Sequence, residues 1–537
     1  MLTFLPRSLS LFALLLLCAL SAAKEPVPVS RPNFIFFIAD DMQRYMFNCL
    51  AESEDRYLTP HLDRLAGEGT LMVEQYVSAP VCTPSRFTCL TGQYASRSKC
   101  PWLTSTIRRE GQSVVGWNTM IMPGQVTLPS LLQQAGYKTG IVGKSHVVHV
   151  PGREKIGYDE DPRDPAVRAR LLTDQRLVCN ALKRCGFDYA AAIYHNNLDS
   201  NGPKALAAHN LDWITQTGLQ FIEENKDKPF FLCFAPTVPH APGDPAHSWN
   251  ADRRTTPVGF LEKPLEVLPS RHDIPRRLEE AGLRVDSQRA NMLWLDDALG
   301  ALLGKLRQHG LDDNTIVFFF NDQGQGAKGT LYQDGIRNPS IVWRKGGFPC
   351  GLVSRVRILN TDFAPTILEM AGVSVSEGLF DGRSFVAALK GGNEPIHESL
   401  YFEMGYTRAV IAGKWKYLAL RYPQSAREMT LAERGRILEE FNANQRKHSK
   451  KILTTDASTP FSHISLIPGG GSAEAASTGK YPGYYDSDQL YNLELDPTEQ
   501  KNLASDPEYA NILETMRQQL KEHLDSLPGG FAELKPK

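Results

Sequence analysis

The chain is 537 residues long, 42% hydrophobic and 22% charged, an ordinary globular composition that excludes a disordered or low-complexity polypeptide and supplies a substantial core. Lys and Arg number 59 against 60 Asp and Glu, which leaves no basic excess for a nucleic-acid partner and no solvating tail of like charge. The length admits two to four domains, or one large α/β domain with a smaller addition.

The N-terminus, MLTFLPRSLSLFALLLLCALSAAKEP, has one arginine, an apolar run from Leu9 to Leu20 and the small residues Ser21, Ala22 and Ala23. This is the layout of a secretory signal peptide, residues 1–23, with cleavage after Ala23. The run is too short to span a bilayer, and Leu17 is bulky where a lipoprotein carries a small residue before Cys18. The expectation is a periplasmic or secreted protein with neither membrane span nor lipid anchor. No N-x-S/T acceptor occurs in the chain, which leans toward a bacterial source.

RPNFIFFIADDM is an apolar run ending abruptly at Asp40 and Asp41, as expected of a strand buried on both faces. TPHLDRLAGEG has helical spacing after a Thr-Pro start. CTPSRFTCLTG, residues 82–92, leaves Cys82 open to four readings: packing residue, half of a disulfide, thiolate nucleophile, or precursor of another group. LPSLLQQAGYKTG reads as a short amphipathic helix, and the strand YKTGIVGKSHVVH ends in Lys144 and His146. A further strand, KPFFLCFAPTVPHAP, runs into a proline-rich loop carrying His240. The long helix SQRANMLWLDDALGALLGKLRQHG stops at Gly310, and DNTIVFFFNDQGQG ends at Asp322 and Gln323. Segments around 97–125, 150–210 and 243–285 read as long loops. After residue 396, SLYFEMGYTRAVIAGKWKYLALR reads as two hairpin strands around Ala412-Gly413. PGGGSAEAASTGKYPG reads as a loop and PEYANILETMRQQLKEHLDSL as a closing helix.

The fold class expected is α/β: a large mixed, mainly parallel sheet sandwiched between helices, with a smaller C-terminal α+β subdomain. The division is a catalytic domain over 24–395 and a subdomain over 396–537. Eight cysteines remain after cleavage; Cys179 could meet Cys185, and Cys89 could meet Cys100. In open α/β sheets ligand sites gather beyond the C-terminal ends of strands, so the polar strand ends suggest one site.

CTPSRFTCLTG resembles the signature of the formylglycine-dependent sulfatases (type I sulfatases, alkaline phosphatase-like superfamily), C-x-P-S-R followed by Leu-Thr-Gly. The resemblance continues, in the family's order, through the ADD strand, GYKTGIVGKSH, PHAP, NTIVFFFNDQG, KGTLYQDGIRNPSIV, TDFAPTILEMAG and DQLYNLELDPTEQKNLA. It implies that a separate maturation enzyme oxidises Cys82 to formylglycine, whose hydrated aldehyde attacks sulfur. Asp40, Asp41, Asp322 and the Gln323 amide then form an all-oxygen set, together with position 82, suited to Ca²⁺ and less to Mg²⁺. Gln323 is a departure, because the family more often has Asn there.

Arg86 lies near the nucleophile, either stabilising it or holding a metal-ligand carboxylate. Lys144 and Lys328 supply charge for sulfate oxygens. His240 matches the family's leaving-group donor, and His146 the residue assisting sulfate elimination. Each taken alone has a plain alternative: a solvated turn for the aspartates, a salt bridge for Arg86, a surface lysine, a loop histidine. Pro84 and Ser85 look like maturation and turn requirements, His149 and His195 like structural residues. Asp334 and Arg337 look like braces for the Lys328 loop.

The reading is a sulfatase acting on O-sulfate monoesters, with a sulfated carbohydrate as substrate class because the long loops are rich in Arg, His, Asn, Asp and Trp. Two alternatives stand beside it. A phosphate or phosphonate monoester hydrolase on the same framework usually wants Ser or Thr and additional zinc ligands, which are not found. The other is a non-catalytic carbohydrate-binding relative whose Cys82 stays a thiol.

Overall fold

In the computed structural model, residues 31–53, 56–423, 426, 428–447, 452, 454–458, 477 and 479–534 are described. The expected signal peptide, Cys18 and most of the Gly/Ser-rich stretch lie outside them. The strands of the first part are β1 (Asn33–Ala39), β2 (Thr70–Tyr76), β3 (Lys138–Lys144), β4 (Tyr189–Tyr194), β5 (Phe230–Ala235), the two-residue β6 (Thr255–Thr256) and β7 (Gly259–Phe260), β8 (Thr315–Asn321), β9 (Arg337–Trp343), β10 (Leu352–Ser354) and β11 (Ile358–Leu359). Among the described residues, nine of them form one sheet in the order β10-β2-β9-β8-β1-β5-β3-β4, with β11 also on β2. Every pairing is parallel except those of β9. The mixed, mainly parallel sheet is the architecture expected.

The central strand shows why its sequence is apolar throughout. Side chains alternate across a strand, so Ile35, Phe37 and Ala39 join one core and Phe34, Phe36 and Ile38 the other. The first core is completed by helix α1 (Pro60–Glu68) and by helices Leu211–Asn225 and Ser287–Gln308. The second is completed by helix α2 (Cys82–Thr91), helix Leu128–Gln134 and helix Phe363–Met370. With both faces covered, all seven residues of β1 are buried. Phe37 stacks on Phe319 at 4.9 Å, and Phe36 lies 4.7 Å from Phe320.

Several elements differ from the sequence reading. The long-loop segments contain helices Pro101–Glu110, Pro165–Lys183 and Ile274–Glu280, and strand β4. The Pro165 helix carries its signal locally: Asp164 accepts a hydrogen bond from Ala166 N at 2.7 Å and Pro165 stands at the first turn, the N-terminal chemistry helices prefer. Strand β9 is hidden by Pro339, which a central strand normally rejects. It is accommodated where β2 bulges, between Met72 and Gln75, opposite the Asn338–Ser340 stretch. The pairings that the sequence left open, Cys179 with Cys185 and Cys89 with Cys100, are not formed; all eight described cysteines are free.

In the C-terminal part, β12 (Leu400–Met404), β13 (Thr407–Ala412), β14 (Trp415–Leu420) and β15 (Asp488–Asn492) form an antiparallel sheet in that order. The hairpin expected as two strands is three, because the chain also reverses at Gly405, which takes the left-handed φ of 50° that glycine tolerates. Helix Ala510–Asp525 packs its Leu513, Met516 and Leu520 into the same core as Tyr401, Tyr417 and Tyr491. That core also takes in Ala327, Leu331 and Tyr332, which flank Lys328. Lys416 and Glu499 form an ion pair with both side chains fully buried, and Glu499 Oε2 accepts from Gln333 N at 2.6 Å.

Asp296, on the long helix, caps α1: its carboxyl accepts from His61 N at 3.1 Å and Leu62 N at 2.8 Å. Burial pushes its pKa up to about 8, against the opposing pull of those two bonds. The fold therefore favours the protonated carboxyl. Its stabilising contribution is full below the ordinary value near 4 and is lost as pH rises through about 8. The difference in unfolding free energy between wild type and Asp296→Asn is expected to shift steadily against the wild type from pH 4 to pH 8. A constant difference over that range would contradict the assignment.

Candidate active site

β1 and β8 pair in register to their last residues, Ala39 opposite Asn321. The next residues, Asp40 and Asp322, therefore emerge side by side at the C-terminal edge of the sheet. Asn321 locks the two turns together: Oδ1 accepts from Met42 N at 2.8 Å, and Nδ2 donates to the carbonyls of Met42 and Gln323. Asp41 is bent back into the site with φ of 60°, a conformation rare for a side-chain-bearing residue, and its N–H donates to Asp322 Oδ1 at 3.2 Å.

Cys82 is the first residue of α2, a helix buried along its whole length. Ser85 Oγ donates to the Asp322 carbonyl, and Arg86 reaches across with Nη2 to Asp40 Oδ1 at 3.2 Å and Asp322 Oδ2 at 3.1 Å. Its Nη1 donates to the Lys144 carbonyl at 3.0 Å. Lys144 closes β3 directly after Gly143, whose φ is 88° and where a Cβ would stand 1.9 Å from the Ala235 carbonyl oxygen. Only glycine permits this approach, and it turns Lys144 Nζ to Asp40 at 2.7 Å and toward Cys82 Sγ at 3.8 Å.

From the opposite side, Lys328 Nζ holds Asp41 Oδ1 and Oδ2 at 2.6 and 2.7 Å. Its loop is tied to the entry of α2 by Gly329 N donating to Pro80 O at 2.9 Å. His240 Nε2 lies 3.3 Å from Asp41 Oδ2, and its Nδ1 is 2.6 Å from the Ala241 carbonyl. Gln323 Nε2 donates to Asp41 Oδ1 while its own Oε1 is buried without a partner. His146, at φ of 43°, is 5% exposed, and its Nδ1 has no partner. The structure thus brings Asp40, Asp41, Cys82, Arg86, Lys144, His146, His240, Asp322, Gln323 and Lys328 to one place.

The charges perturb one another. Burial opposes ionisation of Asp40, yet Lys144, His240 and Arg86 hold it well below the usual carboxylate range. Asp322 is driven the other way: burial, then Cys82 and Asp40, push it well above that range despite Arg86. Burial would raise the Cys82 thiol, but Lys144 and Lys328 bring it down to about 7. Burial would lower His240, but Asp41 raises it to about 9. His146 is held well below its ordinary value by burial and Lys144. A histidine NMR titration of the metal-free protein is expected to find His240 protonated at pH 7 and titrating near pH 9. A midpoint at the ordinary value of about 6.5 would show that Asp41 does not govern it.

Other expected residues resolve differently. Asp334 braces the Lys328 loop through its carbonyl, which accepts from Ala327 N at 3.3 Å, and through Lys480 at 2.8 Å. Arg337 instead pairs with Glu74 on β2. His195 is half-buried, and its carbonyl accepts from His146 N at 3.0 Å; His149 meets the ring of Trp102 at 5.2 Å. Two positioning residues escaped the sequence reading. Asn360 Oδ1 accepts from Ser78 N at 3.1 Å and its Nδ2 donates to Thr88 Oγ1 at 2.7 Å, fastening α2. His209 contacts Thr237 Oγ1 at 2.7 Å and the Pro242 carbonyl at 3.1 Å, fixing the His240 loop from both ends. Neither has a local signal, because its partners are remote in sequence.

Comparison with known proteins agrees with this geometry. The sulfatase family model matches residues 32–373. The chain is 29% identical over 424 residues to N-acetylgalactosamine-6-sulfatase of Canis lupus familiaris, covering 74% of this chain and 73% of that protein. It is 25% identical to N-acetylgalactosamine-6-O-sulfatase of Bacteroides thetaiotaomicron, covering 72% and 82%. A structure solved in complex with its substrate D-glucosamine-2-N,6-O-disulfate superimposes with a TM-score of 0.58 at 19% identity, over 92% of this chain and 98% of that one. The chain belongs to the type I sulfatase family and is a sulfuric ester hydrolase of the alkaline phosphatase-like fold.

Proposed function

We propose that the protein hydrolyses O-sulfate monoesters of a sulfated carbohydrate to an alcohol and inorganic sulfate. It would do so through a formylglycine made from Cys82 by a maturation enzyme, with a calcium ion held by Asp40, Asp41, Asp322, Gln323 and the side chain at 82. The observation that carries the reading is the convergence of those ligands with two lysines and two histidines on a single buried point. The carbohydrate class draws on the relatives' names and on the substrate of the solved neighbour.

The donor set fits the cation. Ligand atoms of Asp40, Cys82 and Asp322 lie within 4.8 Å of one another, and the Gln323 carbonyl oxygen is buried and unpartnered. Oxygen donors of this kind suit calcium, with magnesium second. When bound, the cation would polarise the sulfate and acidify the hydroxyl at position 82, the hydrated formylglycine supplying the nucleophilic oxygen.

The chain's own residues do the rest. Lys144 and Lys328 flank position 82 and place positive charge where sulfate oxygens would lie, and burial strengthens that attraction. Arg86 orients Asp40 and Asp322 as a positioning residue. His240, whose Nε2 lies 3.3 Å from Asp41 Oδ2, would donate a proton from Nε2 to the leaving alcohol. His146 stays neutral, and its free Nδ1 is placed to accept a proton as sulfate departs. The catalytic residues sit in the 24–395 division and are backed by 396–537, and export leaves the protein periplasmic or secreted.

The test joins mass analysis of the residue-82 peptide to rate measurements. Formylglycine at position 82, turnover of sulfated sugars exceeding that of an aryl sulfate and a matched phosphate, and loss of activity on calcium chelation are the expected results. An unmodified cysteine in active enzyme, or a preference for the phosphate ester, would overturn the reading.

A further inference from the structure

A cationic concavity shares no lining residue with the site around Cys82. It encloses about 710 Å³ between the segments that flank β11 and the edge of the C-terminal sheet. Arg355, Arg357 and Arg383 line it, and Glu398 is the single acidic side chain among its lining residues. Among the described residues, none of the three guanidinium groups has a carboxylate within ion-pair distance. Arg357 donates to the Gly413 carbonyl and Arg383 to the Ile396 carbonyl at 3.2 Å, which positions their charge without neutralising it.

The walls are rigidly held. Gly382, just before Arg383, approaches so closely that a Cβ there would stand 2.1 Å from the Thr361 carbonyl oxygen. Arg383 N donates to Asp362 Oδ1 at 2.8 Å, and His397 Nε2 lies 3.0 and 2.9 Å from the two oxygens of that same carboxylate. Asp362 is buried, and its carboxylate is occupied by the Arg383 and Leu359 N–H groups and the His397 ring. Guanidinium groups present paired N–H donors suited to the oxygens of tetrahedral oxyanions.

We propose that this concavity is an oxyanion-binding site, distinct in its residues from the catalytic centre, that takes sulfate groups. Two sources present that chemistry: sulfate half-esters along a polysulfated chain, and free inorganic sulfate. The site is separate from the chemistry proposed for Cys82, and its test reads binding alone.

Calorimetric titration of the full chain with sodium sulfate and with dextran sulfate, in low salt, is the experiment. Two variants are compared with wild type: Arg355→Gln, which removes an exposed side chain with no hydrogen bond to lose, and the double change Arg355→Gln with Arg383→Gln. The double variant is expected to bind dextran sulfate roughly tenfold more weakly, and the single variant to fall between. Turnover of a small monosulfated substrate is expected to stay at the wild-type value in both. Weakening toward sodium sulfate as well assigns the site to single oxyanions; weakening toward dextran sulfate alone assigns it to the chain. Unchanged affinity for both ligands in both variants would overturn the proposal.

Discussion

Replacing Cys82 by alanine is expected to lower sulfate-ester turnover on the order of 10⁴-fold or more, because a covalent catalyst loses its reacting atom. The fold should tolerate the change. Position 82 is completely buried at the start of α2, and truncating so small a side chain, whether thiol or formylglycine, leaves a minor void costing about 1 kcal/mol. The lysines, the histidines and the carboxylate cluster remain, so the variant should still bind the ester. The informative pair of measurements is turnover and thermal midpoint together. Turnover collapsing while the midpoint stays within a few degrees places the chemistry at position 82; a variant retaining about a tenth of wild-type turnover would move it elsewhere.

The largest effect on stability is expected from Lys416→Met. Burial lowers Lys416 and raises Glu499, each against the attraction of the other, so the pair holds charge in a place that disfavours it. Removing the lysine strands the carboxylate, and breaking such a pair costs about 3–5 kcal/mol. Glu499 would then resist ionisation further, so the deficit should be larger at pH 8 than at pH 5. A second change, Glu499→Leu, should recover part of the loss. Because Glu499 also holds Gln333 N, the double variant should loosen the segment after Lys328 and raise KM. Chemical denaturation of the two variants at both pH values checks the claim, and a single variant as stable as wild type would refute it.

The ends of the apolar strands were the most legible part of the chain. NFIFFIA and TIVFFFN are buried on both faces, so hydrophobicity runs unbroken and stops where the sheet does; the first polar residues after each are those that reach the site. Lys144 and His146 follow the same rule. Less was visible where structure depends on distant compensation. β9 carries a proline that only a bulge in β2 makes acceptable, and helix Pro165–Lys183 was read as loop although Asp164-Pro165 announces its start. Asn360 and His209 look like ordinary polar residues because their partners are set by the tertiary fold. Arg337 was assigned to the wrong neighbour because Glu74, its partner across the sheet, is remote in sequence.

Arg86 and Asp322, which face each other in the finished site, are 236 residues apart in the chain. At a synthesis rate of roughly 5–20 residues per second, tens of seconds separate their emergence from a ribosome. Until β8 arrives to dock beside β1, the Asp322 turn that Ser85 and Arg86 bind is missing from the wall around position 82. Under the proposed maturation, newly made polypeptide would offer that side chain to the modifying enzyme for an interval set by chain order, and the door would shut when the sheet is completed.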